Sequence, residues 1–313
     1  MLSKLTKLTK FQKIGAGAVI VSGALAGFLW YAVWRESRGD LLTVAFLDIG
    51  QGDAIFVEAP NGNQMIIDGG PNASLLRELG KVMPFYDRTI DVLVVTNPDK
   101  DHFAGFVDVL KRYQVDLVIE SGTKNDSEIY KTFDAAVKKE GSKRVIAKRG
   151  MSLVLDDGAH AGGTATARGE NSRQKVSFDV IFPDQDVSKF KTNDGSIIGR
   201  LIYGDTSVMF TGDTVQKIEK RLVRLNNVSS TSTPLKSALL KIAHHGSKTS
   251  SLKDFVEAVA PEFAVISLGK NNKYGHPSPE TIDTLDSLYI PTLRTDKEGV
   301  IIFKSDGEEF FRK

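Results

Sequence analysis

DVLVVTNPDKDHFAGF, residues 91–106, joins two unlike pieces of chain. The first six positions form an almost continuous apolar run, the pattern of a β-strand covered on both faces in a parallel sheet. From Phe103 the apolar residues recur at 103, 106, 107 and 110, which is helical spacing. Between strand and helix lie Asp99, Asp101 and His102, at the strand end where ligands bind in open α/β sheets. Two carboxylates and an imidazole with no cationic side chain directed at them favour a cation held among them. The plainer reading is a helix N-cap followed by a solvated histidine.

Three further segments share this design. In VMFTGDTV, residues 208–215, Asp213 follows an apolar strand through a glycine; taken alone, it reads as a turn or as the cap of a helix starting at Val215. In LLKIAHHGS, residues 239–247, an apolar run ends in His244 and His245, and Gly246 would let the backbone turn while both rings face one place. In NNKYGHPSPE, residues 271–280, His276 follows another strand through a Tyr-Gly turn. His160 lies in a glycine-rich stretch, and no role is expected for it.

Short β-rich runs alternate with amphipathic stretches along the rest of the chain. Strands are predicted over 42–48, 54–58, 64–68, 91–96, 115–120, 177–182, 196–203, 207–211, 238–242, 263–267, 292–295, 300–304 and 309–312. Helices are predicted over 73–80, 103–113, 127–140, 215–225, 252–259 and 279–288. Residues 156–174 and 226–234 lack periodicity and read as loops. Strands and helices alternating in two comparable halves imply a layered α/β body with helices outside the sheets.

Composition narrows the chemistry. The chain has 313 residues, 41 of them Lys or Arg against 39 Asp or Glu, so it is no uniformly basic nucleic-acid coat. It has no cysteine, which excludes disulfides, thiolate ligands and a cysteine nucleophile. A metal would be held by His, Asp, Glu, Asn or backbone oxygen.

At the N-terminus, residues 1–13 carry Lys4, Lys7, Lys10 and Lys13 and no acid. Residues 14–34, IGAGAVIVSGALAGFLWYAVW, carry no charge, and about 20 residues of helix span the hydrocarbon core of a bilayer. Trp30, Tyr31 and Trp34 gather at the far end, as interfacial aromatics do. The lysines before the span place a basic tail in the cytoplasm and the body, residues 41–313, outside the cell. A cleaved signal peptide, cut after Ala24-Leu25-Ala26, is the rival reading, but it would leave FLWYAVW as an exposed apolar stub.

Seven motifs stand in order between Gly50 and Glu280: GQGDA (50–54), IIDGG (66–70), TNPDKDHFAG (96–105), NDGS (193–196), FTGD (210–213), HHGS (244–247) and GHPSPE (275–280). This succession resembles the metallo-β-lactamase-fold domain of the ComEC competence proteins, and less closely the phosphorylcholine esterases of the same superfamily. The resemblance covers residues 41 to the C-terminus. It implies an α/β fold of the αββα four-layer sandwich type, here preceded by one transmembrane helix, with one or two divalent metal ions, Zn or Mn, at the sheet edges. It also implies that Asp101, His102 and one of His244/His245 hold one ion with Asp213 bridging, that Asn97 and Asp99 help hold a second, and that His276 faces the substrate. Asn97 and Asn193 stand where relatives carry histidines. The position made of Asn97, Asp99 and Asp213 is then oxygen-rich, which suits Mn²⁺ or Mg²⁺ better than Zn²⁺.

The resemblance points to a membrane-anchored phosphodiesterase or nuclease acting on DNA during uptake, with His276, Asn193 and Asp99 at the reacting atoms. A separate membrane channel protein is the expected partner, because the multi-spanning segment of ComEC proteins has no counterpart among these motifs. Two alternatives stay open: a binding module weakened in turnover by Asn97 and Asn193, and a small-molecule phosphodiesterase of the phosphorylcholine esterase type.

Overall fold

The computed structural model describes residues 10–36, 41–158, 174–228 and 235–313. His160, Lys4, Lys7 and most of both predicted loops lie outside the described residues. The chain divides into two units, Met1–Gly39 and Asp40–Lys313. The first holds helix α1 (Lys10–Glu36), whose window Ile14–Tyr31 has mean hydropathy 1.7, long and apolar enough to cross a membrane by length and composition.

In the second unit the chain first builds one sheet. β1 (Leu42–Phe46), β2 (Ala54–Glu58) and β3 (Gln64–Gly69) form an antiparallel meander. After α2 (Ser74–Val82) the connections become parallel: β4 (Thr89–Val95), short helices α3 (Lys100–Phe103) and α4 (Phe106–Val109), β5 (Gln114–Glu120), α5 (Glu128–Glu140) and β6 (Lys143–Ile146). The second sheet follows, with β7 (Ser152–Asp156), β8 (Val176–Phe182), β9 (Ile198–Tyr203) and β10 (Thr206–Phe210) antiparallel. Helix α6 (Gln216–Val228), β11 (Leu239–Lys241), α7 (Lys253–Val259), β12 (Phe263–Ile266), α8 (Pro279–Ser287) and β13 (Thr292–Arg294) complete it in parallel register. After α9 (Thr295–Glu298) the chain returns to the first sheet as β14 (Ile301–Ser305) and β15 (Phe310–Arg312). The orders are β15-β14-β1-β2-β3-β4-β5-β6 and β13-β12-β11-β10-β9-β8-β7.

Three apolar clusters follow from this order. One lies between the sheets and contains Phe46, Phe178, Phe210 and Phe303; Phe46 stands 6.5 Å from both Phe210 and Phe303. Each such ring contributes roughly 1.5–3 kcal/mol by burial. A second, with Phe103, Phe106 and Phe133, joins the first sheet to α2–α5, and a third, with Phe255, Val256 and Leu285, joins the second sheet to α6–α8. The layers are therefore helix, sheet, sheet, helix: the αββα sandwich that the motifs implied.

Three local expectations are corrected. Helix α2 runs through Gly80 to Val82, because the Met83 amide still bonds the Leu79 carbonyl and Val82 packs against the second cluster. The single helix predicted over 103–113 is two short ones. Gly105 between them is pressed so closely on the β3 loop that a Cβ would lie 2.0 Å from the Gly69 carbonyl oxygen. Strands β6 and β7 stand where the sequence predicts none; both are sheet edges whose charged or alternating residues carry no continuous apolar signal.

Candidate metal centre

Strands β3 and β4 of one sheet and β10, β11 and β12 of the other deliver their C-terminal ends to one place. The loop after β4 carries Asn97, Asp99, Asp101 and His102, and His102 falls in α3 with no exposed surface. The turn after β10 carries Asp213. It depends on Gly212 at φ 50°, where a Cβ would meet the Thr96 hydroxyl at 2.9 Å. After β11, His244 (φ 50°) and His245 (φ 53°) both take the left-handed backbone conformation and Gly246 (φ 81°) follows. The turn thus strains the two histidines as well as using the glycine; such non-glycine conformations cost of the order of 1–3 kcal/mol each.

These turns place His102 Nε2 3.0 Å from Asp213 Oδ2, and His245 Nε2 3.4 Å from Asp101 Oδ2 and 3.7 Å from Asp213 Oδ1. The far nitrogen of each ring is engaged. His102 Nδ1 donates to Asp68 Oδ2 at 2.8 Å and His245 Nδ1 donates to the Ser267 carbonyl at 2.9 Å. Each Nε2 lone pair therefore faces inward. His102 Nε2, His245 Nε2, Asp213 Oδ1 and Asp53 Oδ1 are buried and have no hydrogen-bond partner. Orphaned lone pairs on two imidazoles and a carboxylate, deep in the protein, match the donor types that hold a divalent cation. Donor atoms of Asp101, His102 and His245 lie within 4.8 Å of one another, as do those of Asp53, Asp213 and His245.

The charge balance agrees. Burial alone would raise the Asp213 carboxyl, but His102 and His245 outweigh it and hold it well below the usual range. Against the same burial, which would discharge it, the Asp213 and Asp68 carboxylates raise His102 well above the ordinary histidine value, and Asp213 and Asp53 raise His245 to about 10. Burial would also raise Asp101, yet the His245 ring beside it and the charge of His102 bring it down to about 2. The cluster draws positive charge onto its rings, and a metal ion competes with those protons.

Three of the organising side chains were not singled out from sequence. Asp68 accepts the His102 Nδ1 proton, the Thr96 hydroxyl at 2.6 Å and the Thr96 amide at 2.8 Å. Asp53 is paired with Lys241, and Lys241 also donates to the Gly212 carbonyl at 3.1 Å. Both side chains of that pair are 1% exposed. Asp53, Asp68 and His102 also cluster within 4.8 Å. That is the Nδ1 face of His102, already filled by Asp68 and flanked by an Asp53 tied to Lys241, so it is a hydrogen-bond network and not an ion site. The signal existed: a lone lysine inside the apolar run LLKIA, and aspartates ending or following apolar strands, each need a buried partner.

The remaining predicted residues stand around this centre. His244 Nε2 is 3.9 Å from Asp213 Oδ2, and its Nδ1 lies 3.2 Å from the Thr249 hydroxyl. Asn97 is fully buried with its Oδ1 accepting the Asp99 amide at 2.9 Å, while Asp99 Oδ2 accepts the Thr192 hydroxyl at 2.7 Å. Asn193 follows Thr192 and has a buried Oδ1 without a partner. The His276 ring is 5.8 Å from that of His244, and burial pushes its pKa below the ordinary value.

A family model described as the metallo-beta-lactamase superfamily matches residues 47–270. The chain belongs to the metallo-beta-lactamase superfamily. Within it, the chain is similar to "ComE operon protein 3" of Bacillus subtilis, with 29% identity covering 97% of this chain and 38% of that protein. It is also similar to "Competence protein ComA" of Neisseria gonorrhoeae, with 28% identity covering 89% and 34%. "Recombination protein 2" of Haemophilus influenzae matches at 27% identity over 76% of this chain and 26% of its own length. These relatives place the chain in the ComEC-like competence branch of the superfamily, and the chain spans 26–38% of their lengths. Among solved structures, the metallo-beta-lactamase fold protein YhfI from Bacillus subtilis aligns with TM-score 0.53 at 11% identity, covering 84% of this chain and 100% of that one. CmlA, a diiron beta-hydroxylase from Streptomyces venezuelae, aligns with TM-score 0.51 at 11% identity, covering 87% and 54%. Such low identity speaks for the fold alone.

Proposed function

We propose that this metallo-β-lactamase-fold protein is a metal-dependent phosphodiesterase that cuts a DNA strand at the cell surface, in a setting of DNA uptake that its resemblance to competence proteins suggests. The observation that carries the hydrolytic part is the set of orphaned lone pairs at His102, His245 and Asp213, each ring locked with Nε2 inward. Asp101, His102, Asp213 and His245 would hold a Zn or Mn ion. A bound divalent ion there supplies Lewis acidity toward water and a phosphoryl oxygen. Asp68 and the Ser267 carbonyl hold the ring protons on the far side, and the Lys241–Asp53 pair ties the Gly212-Asp213 turn to the loop before β2. His276, its pKa lowered by burial, stands neutral near pH 7 and suits orienting a substrate or taking a proton. Asn193 Oδ1, buried without a partner, is an acceptor at the edge of the same site. A second ion at Asn97 and Asp99 would share Asp99 with the Thr192 hydroxyl that its Oδ2 already accepts.

Helix α1 supports a single-pass anchor, and the lysines before its apolar span support a body outside the cytoplasm, where incoming DNA and a separate channel protein would be met. One observation favours a second reading, a binding module without turnover: Asn97, at a ligand position of the family, spends its oxygen on the Asp99 amide.

Hydrolysis of bis(p-nitrophenyl) phosphate by the detergent-solubilised full chain separates the two. We expect turnover with Mn²⁺ or Zn²⁺ that falls at least ~100-fold in Asp101→Ala, since even supporting residues of metal sites change activity 10- to 100-fold. No hydrolysis with Mn²⁺, Zn²⁺ or Mg²⁺ would overturn the phosphodiesterase reading.

A further inference from the structure

A row of rings runs from solvent to the buried centre. Tyr274 is 71% exposed, an unusual state for a large aromatic side chain held in a structured turn. Its ring lies nearly parallel to that of His276, 16° between planes and 5.8 Å between centroids. His276 in turn stands 5.8 Å from His244, His244 stands 6.2 Å from His245, and His245 stands 5.7 Å from His102.

The turn that carries Tyr274 is built rather than loose. Asn272 donates from Nδ2 to the His276 carbonyl at 2.8 Å and accepts the His276 amide on Oδ1 at 2.9 Å, closing the five residues 272–276 into a ring. The Asn272 amide also donates to the Gly269 carbonyl at 3.2 Å, tying the turn to the end of the β12 segment. The stretch GKNNKYGH, residues 269–276, contains Lys270 and Lys273, both exposed, and no acid. An exposed aromatic face on a clamped turn, flanked by cations and one ring away from the site histidines, has the make-up of a stacking platform beside a phosphate path. A base paired inside a duplex has both faces covered and offers none to such a ring, whereas an unpaired base does.

We propose that Tyr274 is a specificity-determining residue: it stacks an unpaired nucleobase of a single-stranded DNA substrate and so sets the adjoining phosphodiester toward His276 and the metal centre. This rests on the phosphodiesterase reading for its substrate but concerns binding, which can be measured without turnover. Lys270 and Lys273 supply charge to the backbone on either side and are indifferent to base identity.

The test uses the full chain in detergent and a single-stranded oligonucleotide with phosphorothioate linkages and one 2-aminopurine, with and without Mn²⁺. Stacking quenches 2-aminopurine. The wild type and Tyr274→Phe should bind with a quench, whereas Tyr274→Ala should lose the quench and about tenfold in affinity. An oligonucleotide abasic at the probe position should bind the wild type and Tyr274→Ala alike. Equal binding and quenching by wild type and Tyr274→Ala, or a blunt duplex bound as tightly as the single strand, would overturn the proposal. If that happens while the wild type still hydrolyses bis(p-nitrophenyl) phosphate, the platform falls and the phosphodiesterase stands. Tyrosine-dependent quenching without any hydrolysis keeps the platform and removes the phosphodiesterase.

Discussion

Asp68 never needs to touch a metal ion to control whether one binds. Its two oxygens take the Thr96 amide, the Thr96 hydroxyl and the His102 Nδ1 proton, at 2.8, 2.6 and 2.8 Å. In Asp68→Asn, Oδ1 can still accept the Thr96 amide, but an NH₂ group then faces His102 Nδ1. The ring can meet that donor only by moving its proton to Nε2, the atom aimed at the centre, or by rotating away. Loss of such a supporting carboxylate weakens metal affinity 10- to 100-fold, about 1.4–2.7 kcal/mol. Folding should suffer less. Burial, the largest influence on Asp68, raises its carboxyl pKa even beside His102, so the site is not one that strongly rewards a negative charge in the metal-free protein. Competition of Zn²⁺ between the detergent-solubilised chain and a chromophoric chelator measures the affinity, with chemical denaturation in EDTA as the control for folding. Unchanged Zn²⁺ affinity in a folded Asp68→Asn chain would refute the assignment of His102 Nε2 as a metal donor.

Two further outcomes follow from buried charges elsewhere. Lys241→Met should destabilise the metal-free chain by ~3–5 kcal/mol, because it strands the Asp53 carboxylate in the interior, and the double variant Lys241→Met/Asp53→Asn should recover most of that loss; urea titration reads both, and equal stability of the single and double variants would contradict the pairing. Glu219, whose oxygens accept the Ser251 and Leu252 amides at 2.8 Å, has its pKa raised by burial to about 7 from 4.5. The folded state then binds the extra proton, so stability from this group is full below about pH 4.5 and declines as pH rises to about 7, by of the order of 3 kcal/mol. In EDTA, Glu219→Gln should gain on the wild type between pH 5 and pH 8; a constant offset between the two melting curves at both pH values would refute it.

The parallel strands and the helices that cover them were legible because their signals are local: DVLVVT names a strand buried on both faces, and the helices predicted from 127 and 279 begin at Glu128 and Pro279. The edges β6 and β7 were not, since an edge strand is defined by what it lies beside, and KRVI looks like a solvated segment until β5 is placed. The site divides in the same way. Aspartate and histidine at strand ends announce themselves, so Asp101, His102, Asp213 and the His244–His245 pair could be named from the motifs, with the choice between the two histidines left open. Asp68 could not be given its task from sequence, because that task depends on Thr96 and His102 arriving 28 and 34 residues later. Lys241 is harder still, since its partner Asp53 lies 188 residues away across the two sheets.

That separation bears on Asn97. Read along the chain, asparagine in place of a histidine leaves an oxygen ligand for a second ion. In the structure the same oxygen closes a turn onto the Asp99 amide, and Asp99 is drawn to Thr192, on the NDGS side of the site. The substitution is thus coupled to a second contact that a histidine could not support in the same way, since an imidazole reaching the Asp99 amide would present a single lone pair and surrender it. Asn97, Asp99 and Thr192 form one hydrogen-bonded chain on the loop entering α3, the loop that carries Asp101 and His102 to the centre. On the function proposed above, Asn97 serves the loop that carries Asp101 and His102, and an ion would sit where imidazole and carboxylate lone pairs are already turned inward.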